Sequence, residues 1–152
     1  MVAFESSNVE DWVRSEKYDM SIVPFHTGVF KNPLSQSYER SNYTLKISSP
    51  EQAFLECLLL VPDYYNYMDL YYIMEQLTSL NPENVQIALE GTSSQRVKRM
   101  FLYMAEKAGH YWFDMLDVDK FGLTSSKLKL VDNGVYISKY RITVPKELND
   151  YE

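Results

Sequence analysis

Apolar residues recur at helical spacing through the middle of the chain. Four amphipathic helices are predicted there, over residues 49–62, 67–80, 81–91 and 92–109. Ser49 with Gln52 and Thr92 with Gln95 have the spacing of capping boxes, which mark helix starts. A glycine or proline ends three of the segments, as is typical of helix termini. In the second helix, the residues expected on the buried face are Leu70, Ile73, Met74 and Leu77.

Shorter segments of β-type pattern flank these helices on both sides. Strands are predicted at 2–6, 20–25, 43–47, 127–131 and 135–144, with a helix at 8–17 between the first two. Asp132-Asn133-Gly134 predicts a tight hairpin between the last two strands, because Asn-Gly favours two-residue turns. Residues 27–42 are expected to be a loop and residues 146–152 a frayed tail. The predicted fold is α+β: short N-terminal and C-terminal strands around a compact four-helix centre, in one domain over 1–152, with no separate DNA-binding domain.

The fourth predicted helix divides into an apolar stripe and a cationic stripe. Residues at the spacing of a buried face are Val97, Met100, Phe101, Met104 and Ala108. Arg96, Arg99, Tyr103 and Lys107 lie three or four residues apart and share the second stripe, whereas Lys98 points elsewhere. Guanidinium groups bind carboxylates and phosphates through two parallel hydrogen bonds. We therefore predict a docking patch for an acidic protein or an RNA segment, comprising Arg96, Lys98, Arg99, Tyr103 and Lys107. The alternative is that these side chains pair with acidic side chains of the same domain.

Charge makes this stripe stand out, since the 152-residue chain has a net charge of −6. Residues 1–92 carry 5 basic and 13 acidic residues, whereas residues 93–152 carry 10 and 8. An acidic first part argues against nucleic-acid binding by the whole domain. The single cysteine, Cys57, is predicted to be a buried core thiol, and the lack of a disulfide framework fits a reducing compartment. With no secretory signal and no apolar run long enough to span a bilayer, a cytoplasmic location without membrane contact is expected.

Residues that could carry chemistry are few. Asp117 and Asp119 have the spacing of paired metal carboxylates, but no Gly-Ser turn and no third carboxylate accompany them. His110 follows a helix end, where a structural role is expected, and His26 has no partner nearby in sequence. Phosphate-binding loops and nucleophile elbows are not found. We predict no catalytic residue, no metal ligand and no cofactor.

Several segments, taken in order, resemble the C-terminal domain of AbiEi-type antitoxins, the transcriptional regulators of type IV toxin–antitoxin systems. These segments are Ile47-Ser-Ser-Pro-Glu-Gln-Ala-Phe-Leu-Glu56, Leu60-Val-Pro62, Met74-Glu-Gln-Leu-Thr-Ser-Leu-Asn-Pro82, Val97-Lys-Arg-Met-Phe-Leu-Tyr-Met-Ala-Glu-Lys-Ala-Gly-His-Tyr-Trp112 and Lys139-Tyr-Arg-Ile-Thr-Val-Pro145. The resemblance covers about residues 43–148 and is weaker over the opening strands. Two positions depart from the family pattern: Gln52 stands where Arg is frequent, and Thr124-Ser-Ser126 stands where Gly-Ser-Gly is frequent.

The resemblance implies a non-enzymatic antitoxin that counteracts a nucleotidyltransferase-like toxin without forming a stable complex with it, either directly or through the toxin's target. Family members usually carry an N-terminal winged helix-turn-helix that binds promoter DNA. That domain is expected to be missing from this chain. Promoter DNA would therefore be bound only through that N-terminal domain and not by the residues of this chain. Two alternatives remain: an interaction or oligomerisation module of a DNA-binding repressor, and an enzyme acting on nucleotides through Asp117 and Asp119.

Overall fold

A computed structural model describes residues 2–5 and 22–152 of the chain. The helices are α1 (Pro50–Leu59), α2 (Tyr67–Gln76), α3 (Pro82–Glu90), α4 (Gln95–Ala108) and α5 (Lys146–Asp150). The strands are β1 (Val2–Glu5), β2 (Ile22–Phe25), β3 (Ser35–Arg40), β4 (Tyr43–Ser48), β5 (Leu128–Lys129), β6 (Val135–Ile137) and β7 (Ile142–Val144). Two 3₁₀ helices, Tyr111–Met115 and Val118–Phe121, follow α4. The α+β prediction with four central helices is confirmed, while the helix predicted over 8–17 lies outside the described residues.

Three small sheets are found in the described part of the chain. β1 pairs in parallel with β2, β3 pairs antiparallel with β4, and the third sheet has the order β5-β7-β6. The loop predicted over 27–42 is therefore wrong, because β3 occupies Ser35–Arg40. Every residue of β3 is exposed, so the strand lacks the alternation between core and solvent that reveals strands in a sequence.

The predicted Asn-Gly hairpin is also wrong. β5 pairs in parallel with β7, and β6 pairs antiparallel with β7, so the strands on either side of Asn133-Gly134 do not pair with each other. Asn133 does turn the chain, with φ +53°. Gly134 is required by close packing, since a Cβ there would lie 2.2 Å from the carbonyl oxygen of Val144. The sequence therefore predicts the turn at Asn133-Gly134 correctly, but tertiary packing pairs both flanking strands with β7 instead of with each other.

Helix α4 is the centre of the core. Its residues from Val97 to Ala105 are all buried, so the helix is covered on every side. Phe101 packs against the rings of Phe54 and Trp112, with centroid distances of 5.7 and 6.0 Å. Gly109 ends the helix with φ +69°, as predicted.

Two of the predicted helix starts are corrected in detail. Ser49 caps α1 as predicted by accepting a hydrogen bond from the Gln52 backbone N–H, but the Gln52 side chain donates to Glu56 instead of completing a box. The cap of α4 is Ser94, whose Oγ accepts from the Val97 N–H at 3.3 Å. Thr92, the predicted cap, is buried and donates to the Ala88 carbonyl at 2.7 Å. A hydroxyl engaged with the preceding helix is not available to cap the next one.

Predictions for α2 and for the chain end also need correction. Helix α2 ends at Gln76, and Ile73, expected on the buried face, is 46% exposed, whereas Leu70 and Met74 are fully buried as expected. The tail predicted to fray forms α5, with Leu148 fully buried and the Tyr151 ring packed on α2. Cys57 is only partly buried; burial raises the pKa of its thiol, against a lowering contribution from a hydrogen bond with Tyr65.

Candidate functional site

The cations of α4 donate their hydrogen bonds to backbone carbonyl groups. Arg96 is half-buried and binds the end of α1, with Nη1 donating to the Val61 oxygen at 2.7 Å and Nη2 donating to the Leu59 oxygen at 3.0 Å. Lys107 binds the C-terminal residues, because its Nζ donates to the Tyr151 oxygen at 2.5 Å and to the Asn149 oxygen at 3.2 Å. Each contact joins α4 to a segment at least 35 residues away in sequence.

Lys98 and Arg99 are buried. Lys98 Nζ donates to the Phe121 oxygen at 2.6 Å. Burial lowers the pKa of Lys98, partly offset by the nearby carboxylate of Glu90. Arg99, which is 1% exposed, donates to the Ser126 oxygen and to the Thr124 oxygen, both at 2.6 Å.

The side chain of Arg99 is further held inside α4. Its Nε and Nη2 atoms both donate to Gln95 Oε1 at 3.2 Å. Burial lowers the pKa of Arg99, and the neighbouring guanidinium of Arg141 lowers it further. Tyr103 is also buried and meets the ring of Tyr140 edge-on, with centroids 6.5 Å apart. Burial raises the pKa of Tyr103.

The five residues of the predicted docking patch are therefore less exposed than the sequence predicts. Lys98, Arg99 and Tyr103 are buried, while Arg96 and Lys107 are half-buried. The alternative, that these side chains pair with acidic side chains of the same domain, is also wrong. Their hydrogen-bond partners lie within the chain, but they are carbonyl oxygens. The ion pairs found among residues 22–152 do not include these cations. A helical wheel cannot show this, because the covering segments come from distant parts of the chain. Whether these residues bind a partner stays a prediction.

An open groove lies beside Arg96. Its volume is about 600 Å³, within the range of ligand-binding clefts. The lining comes from the start of α2, the strand β5 with the residues after it, and Pro145 before α5. Its wall includes Tyr67, Asp69, Tyr72, Arg96, Lys129, Val131 and Glu147. We call this the α2–β5 groove.

One side of the α2–β5 groove is a strand edge that no other described strand pairs with. The Leu128 N–H donates to the Arg141 oxygen at 2.9 Å, and the Leu130 N–H donates to the Thr143 oxygen at 3.2 Å, so both face β7. Backbone groups alternate in direction along a strand, so those of Lys129 face away from β7. β5 is the outer strand of its sheet. The groove therefore combines apolar walls with main-chain groups available for pairing.

A second, smaller recess of about 200 Å³ lies beside Arg99 of α4. It is lined by Arg99, Thr124, Ser125, Lys139, Tyr140 and Arg141, which we call the basic recess. Of these residues, only Arg99 belonged to the predicted patch. Lys139 and Arg141 were missed because they lie in the loop between β6 and β7, and only the fold brings that loop to α4.

Other sequence candidates have structural surroundings. Asp117 and Lys120 form an exposed ion pair of 3.3 Å. Across residues 2–5 and 22–152, no group of three or more His, Cys, Asp or Glu side chains is placed to hold a metal ion. His110 Nε2 is 2.6 Å from the Met74 carbonyl oxygen, and the imidazole stacks on Trp112. These contacts give His110 the structural surroundings expected at a helix end. None of the helices described here is long and apolar enough to cross a membrane.

Comparison with known families adds the class of protein. A family of transcriptional regulators, described as AbiEi antitoxins of type IV toxin–antitoxin systems, matches residues 2–145. The match covers nearly the whole chain, and it includes the N-terminal strands, where the resemblance in the sequence is weaker. The chain belongs to this AbiEi antitoxin family. Neither the curated proteins nor the solved structures yield a significant match.

Proposed function

We propose that this chain acts as the antitoxin part of a type IV transcriptional regulator. In this role it counteracts a nucleotidyltransferase-like toxin and catalyses no reaction itself. The observation that carries the proposal is the family match over residues 2–145. We further propose that it acts in the cytoplasm without membrane contact, as a single domain, and that promoter DNA is bound by a winged helix-turn-helix domain not included in residues 1–152.

The α2–β5 groove is our proposed contact surface for the partner protein. An extended segment can add to a free strand edge through main-chain hydrogen bonds, while its side chains enter neighbouring apolar pockets. Lys129 supplies the free backbone groups, and Tyr67 and Val131 supply apolar walls. The wall carries Arg96 and Lys129 together with the carboxylates of Asp69 and Glu147, so the free strand edge and the apolar walls carry this proposal, and the charges do not.

The predicted patch enters this proposal with two different roles. Arg96 is the member that lines the groove, so we propose that it contacts the partner. Lys98, Arg99, Tyr103 and Lys107 act indirectly in this proposal, by holding the segments around α4 in place. A surface fixed in this way is pre-organised, which lowers the entropy cost of binding.

Co-expression with a nucleotidyltransferase-like toxin from the same genetic locus tests the antitoxin role. We expect this chain to restore growth. A failure of the wild-type chain, when it is present at the same level as a folded control, would contradict the antitoxin assignment.

A pair of variants at one position tests the groove. Lys129→Pro removes the outward-facing backbone N–H, and proline is tolerated at strand edges. Lys129→Ala removes the side chain but keeps that N–H. We expect Lys129→Pro to lose growth rescue and Lys129→Ala to retain it. Equal rescue by both variants would exclude strand addition at β5 and leave the antitoxin role itself untouched.

The second candidate is an oligomerisation module of a DNA-binding repressor, and the β3–β4 hairpin favours it. Cross-strand partners Tyr38 and Leu45 lie on one face of the hairpin together with Tyr43 and Ile47, and all four side chains are at least 38% exposed. Arg40 is the one charged residue on that face, so two copies could stack with little charge repulsion. Sedimentation of the wild type and of Leu45→Lys tests this: a dimer that Leu45→Lys dissociates supports the module, and a monomeric wild type excludes it.

A further inference from the structure

The basic recess has more positive charge than its surroundings neutralise. Arg99, Lys139 and Arg141 line it. Within the described residues, Lys139 pairs with Glu106, whereas neither arginine has a carboxylate within 4.0 Å. The positive charges of Arg99 and Arg141 are therefore not neutralised by a carboxylate of the described part of the chain, whereas that of Lys139 is. The mutual proximity of the arginines is also apparent in the effect of Arg141 on Arg99, whose pKa it lowers.

Both arginines are held in position by one turn. Arg99 donates to the carbonyl oxygens of Thr124 and Ser126, and Arg141 Nη1 donates to that of Ser125 at 2.7 Å. Three consecutive carbonyl groups thus orient two guanidinium groups. Carbonyl groups are neutral, so they fix the cations without cancelling their charge.

The backbone of Arg141 is in an uncommon conformation. Its φ is +53°, in the left-handed region that residues other than glycine, asparagine and aspartate seldom adopt. Such conformations persist where the surrounding structure imposes them, and they cluster at ligand sites. Arg141 lines the recess, and only one of its guanidinium nitrogens is used in a hydrogen bond within the described residues.

We propose that the basic recess binds the phosphate group of a small molecule, either inorganic phosphate or a phosphate monoester such as a nucleotide. The excess of two positive charges matches a phosphate monoester, which carries a charge of about −1.5 to −2 at neutral pH. A recess of about 200 Å³ accommodates a terminal phosphate group. Arg141 supplies the unused donors, Lys139 and Arg99 supply charge, and Thr124 and Ser125 line the wall. This site is separate from the α2–β5 groove and does not depend on the antitoxin proposal.

Calorimetric titration of the purified chain tests the site, with inorganic phosphate and adenosine 5′-monophosphate as separate ligands and acetate as a carboxylate control. We expect saturable binding of both phosphate ligands and none of acetate. Tighter binding of the nucleotide would support the monoester as the source, and equal affinity would support a site for phosphate itself. Binding should weaken as the pH falls through about 6, because the phosphate group then loses its second charge.

Two variants locate the binding. Arg141→Asn removes the guanidinium and keeps a residue that tolerates positive φ, and we expect affinity to fall about tenfold or more, the effect of losing one charge-assisted hydrogen bond. Lys146→Gln makes the same charge change at an exposed position outside the recess and should bind as the wild type does. Thermal unfolding of each variant confirms that it is folded. No saturable binding by the wild type, or equal affinity of the wild type and Arg141→Asn, would each overturn the proposal.

Discussion

The Arg99 guanidinium donates through Nη1 to the backbone oxygen of Ser126, at 2.6 Å. This contact joins the middle of the central helix to a turn 27 residues later in the chain. Since Arg99 is 1% exposed, its charge is stabilised by carbonyl oxygens and by Gln95 instead of by water. A residue that reads as a surface cation in the sequence is therefore part of the folded core.

Replacing Arg99 with methionine should destabilise the fold. The change keeps most of the side-chain volume but removes the donors for Ser126, Thr124 and Gln95, and hydrogen bonds to a charged group contribute about 1.5–3 kcal/mol each. We expect the free energy of unfolding in urea to fall by about 2–4 kcal/mol. Arg40→Met, at an exposed arginine of the β3–β4 hairpin, is the matched control and should change it by less than about 0.5 kcal/mol. Equal stability of the two variants would mean that Arg99 is not a structural residue.

Adjacent residues of α2 give a sharp test of which side of that helix is buried. Met74 is fully buried and Ile73 is 46% exposed. Met74→Ala should lower the free energy of unfolding by about 2–5 kcal/mol, because it removes buried atoms and leaves a cavity. Ile73→Ala should cost less than about 1 kcal/mol. Similar losses of stability for both variants would mean that Ile73 and Met74 both lie on the buried face of α2, as the sequence pattern predicts.

The C-terminal helix should contribute to stability. Leu148 is fully buried, and the residues that follow it bind Lys107. Leu148→Ala is expected to lower the free energy of unfolding by about 2–5 kcal/mol. Lys146→Ala changes an exposed residue of the same helix and should cost less than about 0.5 kcal/mol. A frayed tail would instead leave both variants as stable as the wild type.

Stability should fall in alkaline solution because of buried tyrosines. Burial, together with the negative charge of Glu75, raises the pKa of Tyr71 to about 12. The folded state therefore keeps the phenol proton at pH values where the unfolded state, with a pKa of about 10, has lost it. This contribution is complete below pH 10 and disappears as the pH rises from about 10 to 12.

Urea unfolding at a series of pH values measures this effect. Tyr71→Phe removes the ionisable group, so its stability should decrease less than that of the wild type between pH 10 and 12. Tyr136→Phe, at an exposed tyrosine, is the control and should follow the wild type. Parallel stability curves for the wild type and Tyr71→Phe would show that the Tyr71 phenol does not account for the alkaline loss.

Local signals were sufficient for much of the helical structure. Ser49 and Asn81 cap α1 and α3, and Gly109 ends α4, because capping depends on residues within one helical turn. The same reasoning placed the α4 cap at Thr92 instead of Ser94. Both residues have the chemistry of a cap, and only the contact of Thr92 with Ala88 separates them.

Contacts between distant segments account for the remaining errors. The pairing of β5 with β7 depends on packing around Gly134, and the burial of Leu148 depends on the packing of α5 against α2. The basic recess is a stronger case, since Arg99 and Arg141 come together only through the turn at 124–126. A contact between distant segments leaves no periodic pattern within a single helix or strand, so the sequence pattern could not predict it.

By itself, the sequence determined the α+β class, the four central helices and the resemblance to AbiEi antitoxins, because these depend on periodicity, capping and motif order along the chain. The tertiary structure alone decided what the α4 cations do. Polar groups must be satisfied when they are buried, and the carbonyl oxygens that satisfy Arg96, Lys98, Arg99 and Lys107 lie 23 to 44 residues away in sequence. The helical wheel identified the stripe, but its environment was set by segments that the wheel does not contain.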